Sequence, residues 1–413
     1  MLIPDMRRKL IPLLDRFYAG PLWSAWDPTR FLKWFAGAFL FIMMLWSLVV
    51  VTVDPYIYWH RAVGFHQVYS NTYAMIPGIL RKFDYDTVLV GSSLSKNFRI
   101  SDINATLGVN AVKATAAGAN GEDWVCFMRE ALATGKVKRF IICADPWVFN
   151  RGPVPGYSLR YRHLYGARNV FAYLYSLDTV EAVGDVLKNH FTQSARKRDF
   201  DRDFDRVFFD PVHRYHYGRS EIEEMVTRHY IAPPRAKTQP EPYFEKFIFS
   251  IAKEYPGIRF DLFLAPCSIY MWCGIAEQGD LEAYLVVRRA LAERCDRIKN
   301  VFLHDLQAEE PIVCNLENYR DITHYSPEIN HWILAQIAAR PGGNTAAEVS
   351  AANERLRNMT EKHMAGFTAL REGPASPAPG AGFPPPPPLQ LPPPPPPGPM
   401  PEPMPGPGER MGR

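Results

Sequence analysis

Near its start the chain carries a stretch in which apolar residues occupy every position rather than one face. Trp34 to Val53 runs for 20 residues without a formal charge (WFAGAFLFIMMLWSLVVVTV). A helix of that length rises about 30 Å, the thickness of a bilayer's hydrocarbon core. A buried core helix is the alternative, but an apolar circumference with tryptophans at 34 and 46 suits a membrane better. From about Tyr85 the pattern changes to short apolar runs separated by helical periodicity. The runs are Thr87–Val90, a weaker one at Ala111–Thr115, then Phe140–Ala144, Phe260–Ala265 and Val301–His304. Helix-like stretches fall near Glu122–Ala133, Tyr243–Glu254, Leu281–Cys295 and Pro327–Ala339. This alternation predicts an α/β domain with a parallel sheet covered on both faces and right-handed connections. The third and fourth runs are too far apart for one crossover. Residues of about 150–245 therefore read as an insertion that would cap or flank a site at the carboxyl ends of the strands.

Charge orients the apolar run. Arg7, Arg8, Lys9, Arg16, Arg30 and Lys33 precede it and Asp54 follows at once. The positive-inside rule puts residues 1–33 in the cytoplasm and the main domain outside, in a periplasm or on a cell surface. No small-x-small cleavage site follows, so 34–53 reads as an uncleaved signal anchor. Residues 54–84 read as a linker, 85–345 as the domain and 346–372 as a solvated helix. Most of the excess among 38 prolines lies in 373–413, where PPPPP and PPPPPP imply polyproline II or disorder. A net charge of +4 over 413 residues, with no basic stripe, argues against nucleic acid as a partner. The six cysteines form no Cys-x-x-Cys pair, which argues against a zinc ribbon. Cys143 reads as a small core residue. Cys267 and Cys273 are close enough to bridge in an oxidising compartment.

Two short elements carry the candidate chemistry. The first strand runs into Gly91-Ser92-Ser93-Leu94-Ser95. A strand ending in Gly-x-Ser sets a hydroxyl at the carboxyl edge of a parallel sheet, backed by backbone N–H groups. Taken alone, Gly-Ser-Ser is ordinary turn composition. The second element is Tyr319-Arg320-Asp321-Ile322-Thr323-His324-Tyr325-Ser326-Pro327. It reads as a loop entering a helix, with Ser326 as N-cap and Pro327 at the first helical position. A carboxylate three residues before an imidazole can hold the ring in the tautomer a general base needs. Taken alone, it is also a plain capping loop with an incidental histidine.

Together, Gly-x-Ser after the first strand and Asp-x-x-His before the last helix resemble the SGNH (GDSL-like) hydrolase superfamily, over roughly residues 34–340. The resemblance implies a three-layer α/β/α domain. It implies Ser93 as nucleophile, His324 as general base, Asp321 as its orienting partner, and the N–H groups of Ser93 and Gly118 as oxyanion donors. The single N-terminal span, Asp54-Pro55-Tyr56 and the Tyr-Arg-Asp-x-x-His-Tyr-Ser-Pro stretch resemble membrane-anchored members more closely. Among these are the DltD-like proteins of teichoic acid D-alanylation and the AlgJ/AlgX-like proteins of exopolysaccharide acetylation. Hydrolytic members carry Gly-x-Asn-Asp after the third strand, whereas this chain has Cys143-Ala144-Asp145-Pro146-Trp147. Asn120 is the tentative substitute donor. The resemblance implies an acyl-transfer protein acting on a cell-surface polysaccharide or other glycopolymer, beside a polytopic membrane O-acyltransferase and without a cofactor. The alternatives are an esterase that removes acyl groups and a non-catalytic accessory protein. His213, His216 and His229 could ligate a metal, but surface or packing histidines fit that Arg- and Tyr-rich segment better.

Overall fold

The computed structural model describes residues 28–61, 71–144, 169–192, 217–228, 233, 235 and 241–372. Five strands form one parallel sheet: β1 Thr87–Gly91, β2 Ala111–Thr115, β3 Arg139–Cys143, β4 Arg259–Leu264 and β5 Val301–Asp305. Their order is β2-β1-β3-β4-β5. Each apolar run of the sequence is thus a strand, with ends displaced by a residue at most. The chain moves outward from β1 to β2 and then returns to the other side of β1. That reversal is the switch point beside which α/β proteins open a crevice.

Successive strand residues face opposite ways. Val88, Val90, Ile142, Leu262 and Leu303 enter one core, whereas Leu89, Ile141, Cys143 and Phe263 enter the other. The apolar helix is α1 Pro28–Val53. The first core is covered by α2 Thr72–Lys82, by α5 Gly121–Leu132 and by α9, a run made of Glu241–Phe244, a π-helical turn Glu245–Phe249 and Ser250–Glu254. Helices α3 Ser93–Lys96 and α4 Ile100–Leu107 lie on the second face. Of the insertion, α6 Val170–Tyr175 and α7 Leu177–Phe191 pack beside α1, whereas α8 Arg219–Arg228 joins the second core. That core is completed by α10 Ile269–Glu277, α12 Pro327–Ala339 and α13 Ala346–Glu372, while α11 Leu281–Cys295 contributes to both. The architecture is three-layer α/β/α.

Two boundaries differ from the expectation. Of residues 54–84, the described stretches 54–61 and 71–84 are no linker. Asp54, Tyr56 and Ile57 are buried, and α2 sends Met75, Ile76, Ile79 and Leu80 into the core. Nor is the stretch 346–372 a solvated helix. Val349, Ala352, Leu356, Met359 and Phe367 of α13 are buried, and α13 packs on α10 and α11. The buried Arg288 donates to Asp305 on β5 (2.5 Å) and to Asn353 on α13, which ties this helix to the sheet edge. The apolar stripe is narrow and lies among alanines and charges, so composition hid it. Truncation after Glu372 should leave the melting midpoint of the protein almost unchanged. Truncation after Thr345 exposes the faces of α10 and α11 that this stripe covers and leaves Arg288 short of a partner, so the midpoint should fall steeply in a thermal melt.

The six cysteines are unbridged. Cys267 and Cys273 are separately buried, and the Cys273 thiol points at the Thr360 carbonyl (3.8 Å) rather than at Cys267. Inside the sheet, Asp261 accepts hydrogen bonds from His304 Nε2 (2.9 Å), Arg139 Nε (2.8 Å) and Arg259 Nε (2.7 Å). Burial pushes its carboxyl up, but the bonds from His304 and Arg259 outweigh this and hold it at about 2.

Candidate active site

Strand β1 ends at Gly91, and Ser93 opens α3. Glycine is required at 91 by space. A Cβ there would lie 2.9 Å from Cys143 Cβ and collide with the Ser95 hydroxyl. The three serines that sequence could not tell apart are separated by burial and bonding. Ser92 is buried, and Ser95 is buried and donates to the Ser92 carbonyl (3.0 Å). Ser93 is half-exposed, and its Oγ meets His324 Nε2 at 2.9 Å. As the first residue of a helical turn, Ser93 has an N–H without an intrahelical acceptor.

The loop that carries His324 is clamped by backbone bonds. Arg320 N donates to His324 O (2.9 Å), Ser326 N to Asn318 O (2.7 Å) and Ser268 N to Ile322 O (3.0 Å). Tyr319, fully buried, anchors it through its hydroxyl to Pro266 O (2.9 Å). Ser326 is the N-cap of α12 and Pro327 its first residue, although the Ser326 side chain makes no capping bond. Within the loop, Asp321 Oδ2 accepts from His324 Nδ1 (2.8 Å). Its Oδ1 accepts from the backbone N–H groups of His324 (2.8 Å) and Thr323 (2.9 Å) and from the Thr323 hydroxyl (3.0 Å). Burial alone would raise the Asp321 carboxyl. The His324 hydrogen bond and charge and the two backbone donors reverse that and bring it to about 2. Asp321 is therefore ionised across the physiological range, and its Oδ2 fixes a proton on His324 Nδ1. Nε2 is left as the acceptor facing Ser93.

The other expected residues are placed with different clarity. Gly118 follows β2 on the same sheet edge and has φ +73°, the left-handed region that glycine tolerates. The Ala116 N–H still bonds Gly91 O (3.2 Å), so this loop starts directly beside the end of β1. Asn120 stands at the start of α5 as its N-cap. Its side-chain oxygen caps α5, accepting from Glu122 N (2.9 Å) and Asp123 N (3.2 Å), and Asp123 accepts in return from Asn120 N (3.1 Å). Asp145, Pro146 and Trp147 and the three histidines at 213, 216 and 229 lie outside the described residues. Among the described residues no cluster of His, Cys, Asp or Glu is arranged to hold a metal.

Sequence reading missed the residues that hold the turn carrying Ser93. Lys113 is fully buried on β2, and its ammonium donates to Phe98 O (3.0 Å) and Lys96 O (3.4 Å) at the carboxyl end of α3. Asn330 of α12 donates to Asn97 O (3.0 Å), and the Tyr325 hydroxyl reaches Leu94 O (3.5 Å). A lysine at the centre of an otherwise apolar strand was the available signal. Lys113→Met keeps the volume and removes the charge. It should lower turnover by up to about a hundredfold through misplacement of Ser93, with far-UV circular dichroism unchanged. Ser93, Leu94, Asn97, Tyr217, Arg320, His324 and Tyr325 line a cleft of about 20 Å³. That is room for one water-sized group beside the hydroxyl. A larger cavity of about 460 Å³ lies between β5, α12 and α13, and neither Ser93 nor His324 borders it. The Ser93–His324 pair borders the smaller one.

Fold and geometry define an α/β protein with a serine–histidine–aspartate hydrogen-bond chain at the carboxyl edge of its sheet. No family model matches the chain, and no curated protein does. Among solved structures, a chain from Streptococcus pneumonia described as a "putative platelet activating factor" is 10% identical. The alignment covers 72% of this chain and 96% of that one, with a TM-score of 0.35. A likeness at that score carries no argument about either fold or function.

Proposed function

We propose that this chain is a membrane-anchored acyl-transfer protein of SGNH type whose domain lies outside the cytoplasm. The single observation that carries the reading is the continuous hydrogen-bond chain from Ser93 Oγ to His324 Nε2 (2.9 Å) and from His324 Nδ1 to Asp321 Oδ2 (2.8 Å). In the proposed reaction His324 takes the Ser93 proton while Oγ attacks an acyl carbonyl. The imidazolium that forms is stabilised by ionised Asp321. The N–H groups of Ser93 and Gly118 receive the oxyanion. Collapse expels the donor alcohol, which takes the proton from His324 and leaves an acyl-serine. An acceptor hydroxyl, deprotonated by His324, then removes the acyl group.

The setting favours a surface polymer as acceptor. Thr29–Val53 is long and apolar enough to cross a membrane, and basic residues precede it. A glycopolymer hydroxyl is the acceptor we favour, with a polytopic O-acyltransferase as the partner that supplies acyl groups. Water as acceptor makes the same site an esterase. The test is labelling of the full-length protein in membranes with a serine-directed fluorophosphonate, followed by peptide mapping. An adduct on Ser93 is expected. An unlabelled Ser93 in folded protein would leave the accessory-protein reading in its place.

A further inference from the structure

Helix α1 is not a free tether. Its stripe Met43, Trp46, Ser47, Val50 and Val53 is wholly or partly covered, whereas Phe39, Leu40, Phe41, Ile42, Met44, Leu45 and Leu48 are exposed. The cover is α6 and the start of α7. Trp46 Nε1 donates to Leu174 O (2.7 Å), and Ser47 Oγ shares a hydrogen bond with the Tyr175 hydroxyl (2.7 Å). Above them, Tyr56 donates to Asp178 O (2.8 Å) and Tyr173 donates to Asp54 Oδ1 (2.6 Å).

Length decides where this contact lies. The part of the uncharged run that precedes the covered stripe, Trp34 to Ile42, has nine residues and rises about 13 Å, less than half of a hydrocarbon core. A span that crosses must therefore include the covered part. Ser47 then sits about 9 Å inside the outer end of the run at Val53. We propose that α6 and the first residues of α7 are immersed in the outer interface of the bilayer. Phe171 and Leu177 then contact lipid, and the domain is seated on the membrane in one orientation. The inference rests on the reading of α1 as a membrane span.

Four further features agree with it. From Asn169 to Leu177 the chain carries no charged residue, and the first charge, Asp178, comes where the chain has climbed to Tyr56, beyond the span. Phe171 and Leu177 are 76% and 80% exposed, high for large apolar side chains in water, on helices that pack beside α1. Carbonyls at the end of α6 have donors, as a low-dielectric surrounding demands: Leu174 O from Trp46 and Ala172 O from Ser176 N (3.0 Å). Aromatic residues with a polar handle, Trp46, Tyr173 and Tyr175, populate the contact, as they do at membrane interfaces.

The test uses the full-length protein purified and reconstituted alone into vesicles of phosphatidylethanolamine and phosphatidylglycerol. Benzoylphenylalanine replaces Phe171 or Leu177, with Leu40 in the span and Val286 on α11 as controls. After irradiation, lipid adducts are counted by mass spectrometry. Adducts at 40, 171 and 177, severalfold above those at 286, are the expected result. Adducts at 40 with only the level of 286 at 171 and 177 would overturn the seating and leave the span intact. Absence of adducts at 40 would overturn the span and the seating with it.

Discussion

Ser93→Ala is expected to abolish fluorophosphonate labelling and polymer acylation, with protein level and membrane insertion unchanged. His324→Ala should be nearly as damaging, because the two act as one unit, and each loss should reach roughly six orders of magnitude. Asp321→Asn should cost somewhat less, about 10⁴ in turnover. It disturbs the tautomer and orientation of the ring without removing the base. Asp321 receives four hydrogen bonds, so the Asn variant also faces two backbone N–H groups with one oxygen fewer, and its melting midpoint belongs beside the rate. Ser92→Ala and Ser95→Ala are the controls. Ser95→Ala loses only the bond to Ser92 O and should retain most activity. Full activity in Ser93→Ala with loss in a neighbouring serine variant would move the nucleophile. Activity in all three would end the catalytic reading.

The largest structural effect is expected at Asp54, where α1 meets the domain. Its carboxylate is fully buried and accepts from the N–H groups of Tyr58 (2.8 Å), Trp59 (2.7 Å) and His60 (2.8 Å), besides the Tyr173 hydroxyl. Tyr58 and Trp59 pack their rings on Tyr173, with centroids 4.8 Å and 4.9 Å away. Asp54 also holds φ +41°, a region that aspartate enters more readily than alanine. Asp54→Ala leaves one buried and three partly buried donors without their acceptor and should cost on the order of 3–5 kcal/mol. In detergent the melting midpoint should fall by roughly 5–15 °C. Limited proteolysis should newly cut between span and domain, separating α1 from the rest. An unchanged midpoint with no new cleavage would show that the collar contributes nothing to holding the two together.

Local pattern made a large part of this protein legible. The five strands are short β-rich runs whose character depends on their own residues, so their positions were readable to within a residue. The apolar helix was readable for the same reason, since length, hydropathy and flanking charge are all local. Asp321 and His324 could also be paired from sequence, because three residues in one loop must be near each other. Their partner Ser93 is another matter. It lies 231 residues from His324, and only the resemblance to a family linked them.

Which of three serines faces the histidine was decided by the fold, since a helical turn at the end of β1 buries Ser92 and Ser95 and presents Ser93. The expected linker and solvated helix became parts of the core because their buried faces exist only against partners distant in sequence. Asn120 gained a part that sequence did not show: its side-chain oxygen caps the helix that begins beside it. The sequence by itself determined the membrane-length helix, the parallel α/β order and the chemical types available at the sheet edge, since periodicity and composition act over a few residues. The tertiary structure alone decided the serine, the supports Lys113 and Asn330, and the docking of α6 on α1. Each of these depends on which surfaces meet once the chain has closed over its two cores.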